Sequence, residues 1–344
     1  MRRLSAILLS LCTVVAAFAA EWHPDVLSDG YEARTVVQPS DYSGPVVSTI
    51  VRKLVPGNAA ARKAVLYIHG FNDYFFNTEM GNEFVAYGYD FYTVDLRKYG
   101  RSLLPGQRPF EVRSLNEYFP DIDSALVAIE RGGADEIVLM GHSTGGLIAA
   151  YYMHCNPNAP VDALVLNSPF LDWNLGWMEW LVPVVSWWGK IAPGTAIPQG
   201  DSEAYADSLL KGRHGRWSYN THWKMPQSPD VTAGWVRAIT LAQKALRGGK
   251  ANIRIPILLM YSQNSVSGSE WTEAHNRGDG VLDVADIARY GRTLGPHVSQ
   301  MIVKGGLHDL FLSNPRLVAS LYPRVFAWLH RHLPPAEPAA SHRA

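Results

Sequence analysis

The sequence predicts a doubly wound α/β fold with a mostly parallel sheet and an inserted helical cap. Six short apolar runs have the length of single strands, and helical patterns lie between several of them. Strands that are apolar throughout are covered on both faces, as in parallel sheets with right-handed crossovers. The alternation stops over residues 171–247, so the core is expected to comprise 20–170 and 248–333.

Each predicted strand is bounded by turn-forming or polar residues. In chain order the runs are AVLYIHG (64–70), YDFYTVDLR (89–97), EIVLMGHS (136–143), VDALVLNSP (161–169), IPILLMYS (255–262) and VSQMIVKGG (298–306). Helices are expected over 115–131, 145–154, 284–294 and 315–332. Strands that alternate with helices in this way indicate a sheet with helices on both faces.

The composition is that of a globular protein. The 344 residues are 47% apolar and 18% charged, with 31 basic and 31 acidic side chains. A formal charge of zero argues against a surface that binds nucleic acid or anionic lipid through its charge, so no nucleic-acid partner is expected.

Residues 1–19 have the pattern of a secretory signal peptide. Arg2 and Arg3 precede an apolar run that ends before Ala17-Phe18-Ala19, a small-residue exit typical of cleavage. We therefore expect a secreted or periplasmic protein with no stable membrane anchor after cleavage; a retained anchor is the alternative. Cys155 would then be the only thiol, which excludes an intramolecular disulfide. Residues 334–344 are predicted to be a flexible tail.

Eight of the eleven tryptophans lie in the predicted cap, residues 171–247. Aromatic residues at helical spacing usually pack inside a small subdomain, but some can line a pocket. Trp173 and Trp177 are the substrate-binding candidates, because a cap over the loop end of a sheet is a place to hold an apolar chain.

The pattern Gly141-His142-Ser143-Thr144-Gly145 follows a predicted strand and precedes a predicted helix. A sharp turn in this context holds the central serine in a strained conformation that exposes its hydroxyl. Ser143 is therefore the candidate nucleophile, and His142 is expected to point away along the turn.

A serine nucleophile needs a base, and the base needs a carboxylate that orients it. His308 follows the last predicted strand and so lies at the same sheet edge as Ser143. Asp283 and Asp286 have the positions of helix-start residues, whereas Asp279 precedes a glycine in a turn and has no such role. We assign Asp279 as the acid, with Asp283 as the alternative. The remaining acidic candidates before His308 are Glu270 and Glu273.

Two backbone amides are expected to bind the oxyanion formed during attack. Thr144 directly follows the nucleophile, and Phe71 lies in the His69-Gly70-Phe71 segment after a predicted strand. His69 is expected to brace this loop and take no part in the reaction.

These residues resemble those of an α/β-hydrolase of the monoacylglycerol lipase and lysophospholipase-like group, also labelled serine aminopeptidase S33-like. The resemblance covers nearly all of residues 25–333, through HGFNDYFF, DLRKYGRS, GHSTGG, LVLNSPF, DGVLD and GLHDLFLS. It implies a carboxylic-ester hydrolase with a helical lid, no metal and no organic cofactor. DGVLD resembles the segment whose first Asp is the group's catalytic acid, yet Asp279 is 18 positions beyond Tyr261, after an insertion.

The sequence predicts a serine hydrolase that cleaves acyl esters through an acyl-enzyme. Monoacylglycerols and lysophospholipids are the substrate hypotheses, so the expected partner is a small-molecule ester. One alternative is an aminopeptidase or amidase that holds a substrate amine with cap carboxylates, for which the candidates are Glu179, Asp201, Glu203 and Asp207. The second alternative is a non-catalytic binding protein with the same fold. No H-E-x-x-H motif or cysteine pair indicates a metal site, and oligomeric state is not indicated.

Overall fold

The computed structural model describes residues 21–57 and 63–333. The predicted signal peptide, 1–19, and the predicted tail, 334–344, lie outside the described residues. In the described part, no helix is both long and apolar enough to cross a membrane.

Nine strands form the central sheet, in the spatial order β1-β2-β3-β5-β4-β6-β7-β10-β11. In this order the neighbouring strands β5, β4, β6, β7, β10 and β11 pair in parallel. Strands β1, β2 and β3 add an antiparallel edge beside β5. The prediction of a mostly parallel α/β sheet is confirmed. The strands are β1 His23–Pro24, β2 Glu32–Asp41, β3 Gly44–Lys53, β4 Lys63–Ile68, β5 Asp90–Asp95, β6 Glu136–His142, β7 Ala163–Asn167, β10 Ile257–Ser262 and β11 Val298–Val303.

Helices cover both faces of the sheet. Buried side chains of α2, α3, α6 and α7 belong to one apolar cluster, and those of α1 and α8 belong to a second cluster on the other face. The helices are α1 Thr78–Ala86, α2 Phe119–Arg131, α3 Thr144–Cys155, α4 Val182–Ile191, α5 Ala204–Leu209, α6 Ala233–Leu246, α7 Val284–Gly291 and α8 Pro315–His332. Each face of the parallel strands is therefore buried, as the continuous apolar runs require.

Each of the six predicted strands overlaps a strand of the sheet, and each predicted helix overlaps a helix. The hairpin of β2 and β3 and the helix α1 were not predicted. Of the residues in β2, Ala33 and Gln38 are buried, and the sequence EARTVVQPSD lacks the continuous apolar run that marks the parallel strands.

The segment 171–247 leaves the sheet after β7 and returns before β10. It contains α4, α5, α6, a short 3₁₀ helix at Gly176–Leu181, and a two-stranded sheet of β8 Ala196–Ile197 and β9 Val231–Thr232. The buried face of α6 packs with the main core cluster, so this last helix is part of the core packing.

The cap tryptophans divide into two groups. Trp217 and Trp235 are buried, while Trp173 and Trp223 are partly buried against them and their neighbours. The other group lies on the outer surface of the cap, with exposed fractions of 79% for Trp177, 63% for Trp180, 60% for Trp187 and 43% for Trp188. Half of these rings therefore do not pack in the interior of the cap.

Helices α4 and α6 approach each other closely at Gly189. A Cβ atom at this position would lie 2.1 Å from the carbonyl oxygen of Ala233. Although alanine is favoured over glycine in a helix by about 1 kcal/mol, the close approach reverses this preference here.

We predict that Gly189→Ala lowers the free energy of unfolding by about 1–3 kcal/mol, because the added methyl group forces the two helices apart. Gly194→Ala is the control, since a Cβ atom there meets nothing within 4 Å. Its effect should stay within about 0.5 kcal/mol in the same urea titration. Unchanged or increased stability of Gly189→Ala would contradict the prediction.

Candidate active site

Ser143 occupies a tight turn between the end of β6 and the start of α3. Its φ of 54° and ψ of −119° lie in a region that non-glycine residues rarely adopt. The turn fits because neighbouring positions lack side chains: a Cβ atom on Gly145 would lie 2.2 Å from the His69 carbonyl oxygen, and one on Gly141 would lie 2.4 Å from the Gly145 carbonyl oxygen. The packing of two glycines thus permits the strained conformation that was predicted for Ser143.

The structure brings Ser143, His308 and Asp279 into one chain of hydrogen bonds. The Oγ atom of Ser143 lies 2.9 Å from Nε2 of His308, and Nδ1 of His308 lies 2.9 Å from Oδ2 of Asp279. The other carboxylate oxygen of Asp279 accepts the backbone N–H groups of Val281 and Leu282, at 2.9 and 2.8 Å. The carboxylate is fully buried and held in place, so it fixes the orientation of the imidazole ring.

Asp283 has a different role. Its side chain accepts the amide of Ala285 at 2.8 Å and caps the N-terminus of α7. This matches the helix-start role expected from the sequence, and the structure places Asp279, not Asp283, against His308.

The long insertion after β10 brings Asp279 back to the end of that strand. The Asp279 amide donates to the carbonyl of Asn264 at 2.9 Å, and the Val266 amide donates to the carbonyl of Asp279 at 2.7 Å. The intervening residues loop outward, where Trp271 stacks on His214 of the cap with ring centroids 3.4 Å apart. Asp279 can therefore lie close to the end of β10 although it is far from Tyr261 in the sequence.

One predicted oxyanion donor directly follows Ser143, and the other lies in a loop that contacts the Ser143 turn. Thr144 is the first residue of α3, and the first N–H groups of a helix have no acceptor within the helix. Phe71 follows β4 and lines the cavity at Ser143. The loop that carries it passes against the turn, since a Cβ atom on Gly70 would lie 3.2 Å from Cβ of Ser143.

His69 holds this loop against the next strand of the sheet. Its Nδ1 atom donates to the Gly70 carbonyl at 2.8 Å, and its Nε2 atom accepts the Leu96 amide at 3.2 Å. It contacts backbone on both sides, as the expected bracing role requires.

The expectation that His142 points away from the site is wrong. Its ring lines the cavity, and its centroid lies 4.8 Å from that of His308. Nδ1 of His142 contacts the Asn167 carbonyl at 3.2 Å, which turns the ring toward the carboxyl ends of the strands. Burial lowers the pKa of His142 to about 4, although the nearby Asp309 carboxylate acts in the opposite direction.

A cavity of about 400 Å³ opens at Ser143 and His308 between the sheet edge and the cap. Trp173 and Trp177, the predicted substrate-binding residues, do not line it. Trp173 packs edge-to-face against Phe170 with ring centroids 5.1 Å apart, and Trp177 faces outward. The number of tryptophans in the cap and its place over the loop end of the sheet do not indicate which face of a helix each ring occupies.

Asn72 and Asp73 connect the Phe71 loop with the cap. Neither contact was predicted from the sequence. The side chain of Asn72 donates to the Met225 carbonyl at 2.8 Å and accepts the Met225 amide at 2.9 Å. The next residue, Asp73, forms an ion pair with Lys224 at 3.0 Å. These polar side chains lie next to the HG-x motif in the sequence, but their partners are about 150 positions away and share no local pattern with them.

The sheet, the strand–turn–helix at Ser143 and the hydrogen bonds of Ser143, His308 and Asp279 define an α/β-hydrolase. A family model described as serine aminopeptidase, S33, matches residues 59–313. The chain belongs to this family.

Relatives of this chain are found by both sequence and structure. A monoacylglycerol lipase of Mycolicibacterium smegmatis is 27% identical over 204 residues, which cover 58% of this chain and 69% of that protein. A soluble variant of monoglyceride lipase from Saccharomyces cerevisiae superimposes with a TM-score of 0.61 at 16% identity, over 91% of this chain and 94% of that one. The Paleococcus ferrophilus monoacylglycerol lipase gives 0.59 at 20% identity, over 82% and 98%. The structural similarities support the fold.

We predict that His142 makes the protein sensitive to acid. The pKa of His142 is about 4 in the folded protein, below the usual value near 6.5, so the unfolded chain binds the proton first as the pH falls. Stability should therefore decrease between about pH 6.5 and pH 4, by about 2 kcal/mol at pH 4.5.

Urea unfolding of the wild type and His142→Asn at pH 7.5 and pH 4.5 measures this contribution. The variant should lose less stability than the wild type between the two values. An equal loss in the two proteins would exclude His142 as the cause.

Proposed function

We propose that the protein is a serine hydrolase that cleaves carboxylic esters through an acyl-enzyme. The observation that carries the proposal is the hydrogen-bonded chain from Ser143 through His308 to Asp279, at 2.9 Å for each link. A hydroxyl group that donates to an imidazole oriented by a buried carboxylate is suited to attack a carbonyl carbon.

In the proposed reaction, Ser143 Oγ attacks the ester carbonyl while His308 Nε2 takes its proton. Asp279 keeps the other ring nitrogen protonated and stabilises the imidazolium. The amides of Phe71 and Thr144 bind the oxyanion, and His308 then gives its proton to the leaving alcohol. Water cleaves the acyl-enzyme by the same steps in reverse, which regenerates Ser143.

The contacts of the predicted amine-binding carboxylates favour an ester hydrolase over an aminopeptidase. Glu203 and Asp207 both bind Arg213 at 2.6 Å, and Asp201 accepts a hydrogen bond from Gln227 at 3.0 Å. None of these residues, nor Glu179, lines the cavity at Ser143. An aminopeptidase needs a free carboxylate near the scissile bond to hold the substrate amine, and these four do not supply it.

We propose monoacylglycerol-like esters as the substrate class. The support is the relative of Mycolicibacterium smegmatis named monoacylglycerol lipase, together with the shared fold. The presence of a serine, a base and an acid in contact also favours an enzyme over a non-catalytic binding protein.

From its leader-like residues 1–19, we further propose that the protein is exported.

Asp279→Asn should lower kcat/KM for p-nitrophenyl butyrate by about 10³–10⁴-fold, because an amide at this position no longer enforces the required imidazole tautomer. Asp283→Asn is the matched control. Asparagine caps a helix about as well as aspartate, so this variant should keep nearly the wild-type rate. A larger loss in Asp283→Asn than in Asp279→Asn would reverse the assignment of the acid.

Ser143→Ala should abolish both p-nitrophenyl butyrate hydrolysis and labelling by a fluorophosphonate probe, with a drop in kcat of at least about 10⁴-fold. Circular dichroism would establish that the variant is folded. Undiminished turnover in this folded variant would refute the role of Ser143. Faster cleavage of an aminoacyl p-nitroanilide than of the butyrate ester by the wild type would favour the aminopeptidase alternative.

A further inference from the structure

The loop that carries Phe71 is bound to one segment of the cap, residues 220–225. Three consecutive residues of the loop make these contacts. They are the side chain of Asn72 with both backbone polar groups of Met225, the ion pair of Asp73 with Lys224, and the hydroxyl of Tyr74, which accepts the Asn220 amide at 2.8 Å. The cap therefore contacts the loop directly after the residue that supplies the proposed oxyanion donor.

The core of the protein holds the same loop at its two ends. On one side, His69 binds the backbone of the loop and the backbone just after β5. On the other side, the Phe75 amide donates to the carboxylate of Asp95 at 3.1 Å. Between these two points, residues 72–74 are held through their contacts with the cap segment 220–225.

Asn72 follows the donor residue and has an unusual backbone conformation. Its φ of 48° lies in the left-handed region, which asparagine adopts more readily than most residues with a side chain. Its buried carboxamide both donates to and accepts from the backbone of Met225. These two hydrogen bonds fix the turn directly after Phe71, whereas the ring contacts of Phe71 with Phe110 and Trp235 hold its side chain.

The ion pair of Asp73 with Lys224 opposes any separation of the loop from the cap segment. The two side chains are 4% and 7% exposed, with Oδ1 and Nζ 3.0 Å apart. Withdrawal of either partner leaves a buried charge without its counterion, which is strongly destabilising. The loop and the cap segment are therefore expected to keep one relative position during the reaction.

An oxyanion donor has to be placed accurately. Its nitrogen must lie about 2.7–3.1 Å from the developing oxyanion, and loss of one donor lowers kcat by about 10²–10³-fold. A misplacement of about 1 Å can cost about 10²-fold in rate. Contacts that fix the direction of the Phe71 amide therefore affect the transition state more than the bound substrate.

We propose that Asn72 is a positioning residue for the oxyanion donor at Phe71, and that the cap segment 220–225 holds it in place. This inference rests on the proposed ester hydrolysis, in which the Phe71 amide binds the oxyanion. It gives the cap a part in the chemical step, because the backbone of Met225 and the side chain of Lys224 hold the loop that stabilises the transition state.

Asn72→Gly is the decisive variant. Glycine adopts a φ of 48° without strain, so the substitution removes both hydrogen bonds to Met225 and keeps the backbone conformation accessible. We expect kcat for p-nitrophenyl butyrate to fall by about 10-fold to 100-fold, with KM changed less than about threefold.

A transition-state analogue separates this positioning role from a merely structural one. Pentyl trifluoromethyl ketone adds to a serine nucleophile and forms an oxyanion, whereas pentyl methyl ketone serves as the unreactive ligand of similar size. In Asn72→Gly the inhibition constant of the trifluoromethyl ketone should rise by about the same factor as kcat/KM falls. The inhibition constant of the methyl ketone should change less than about twofold.

Asn77→Gly is the matched control. Asn77 is likewise buried, and its side chain accepts the Met80 amide at 3.1 Å at the start of α1. It does not line the cavity at Ser143. Glycine replaces asparagine at a helix start with little loss of stability, so kcat and both inhibition constants should stay within about twofold of the wild type.

Tyr74→Phe tests the neighbouring contact with a smaller change. It removes the hydroxyl that accepts the Asn220 amide and leaves the ring. The kcat and the affinity for the trifluoromethyl ketone should fall together by about threefold, the effect of one lost hydrogen bond. This variant decides the question if circular dichroism shows that Asn72→Gly does not fold.

The proposal is overturned if folded Asn72→Gly keeps the wild-type kcat, if KM alone rises, or if the two ketones lose affinity equally. The same results in Tyr74→Phe count equally. If the wild type hydrolyses the butyrate ester and is labelled by a fluorophosphonate at Ser143, these results reject the positioning role alone. If the wild type does neither, both the positioning role and the proposed function are rejected.

Discussion

The backbone at Ser143 is the constraint on which the rest of the site depends. A serine at φ 54° costs on the order of 1–3 kcal/mol, which the surrounding packing has to offset. That packing comes from β6 and α3, both buried on the sheet, and from glycines that let the turn touch the next loop. With Ser143 fixed in this way, His308 and the Phe71 loop need only reach one point at the sheet edge.

The rigid turn contrasts with the way in which the acid is held. Asp279 lies in a segment that leaves β10, makes contacts with the cap and then returns to pair with Asn264 and Val266. Its position therefore depends on a few backbone hydrogen bonds and not on adjacency to the strand. The fold tolerates a long insertion here because only the two ends of the loop have to be in place.

Much of the core and of the reacting groups could be predicted because their signals are local. Continuous apolar runs mark the buried parallel strands, and the G-x-S-x-G pattern between strand and helix marks Ser143. The sequence pattern of a helix N-cap also distinguishes Asp283, at the start of α7, from the catalytic candidate Asp279. The β2–β3 hairpin is not predicted, because its two strands mix polar and apolar residues and lack the continuous apolar run of the parallel strands.

The cap could not be predicted to the same depth. Its orientation depends on contacts between distant segments, such as that of Asn72 with Met225. Without that orientation, a tryptophan count does not tell which rings face the cavity, and the assignment of Trp173 and Trp177 as wall residues had no geometric basis. His142 was misjudged for a related reason, since its ring direction is set by the Asn167 carbonyl on the neighbouring strand.

The outward-facing indoles of the cap have a consequence for spectroscopy. Trp177, Trp180, Trp187 and Trp188 are in contact with solvent, whereas none of the cap tryptophans lines the cavity at Ser143. The steady-state emission of the intact chain therefore samples the outer surface of the cap to a large extent. A shift in its wavelength would therefore report chiefly a change in the hydration of that surface.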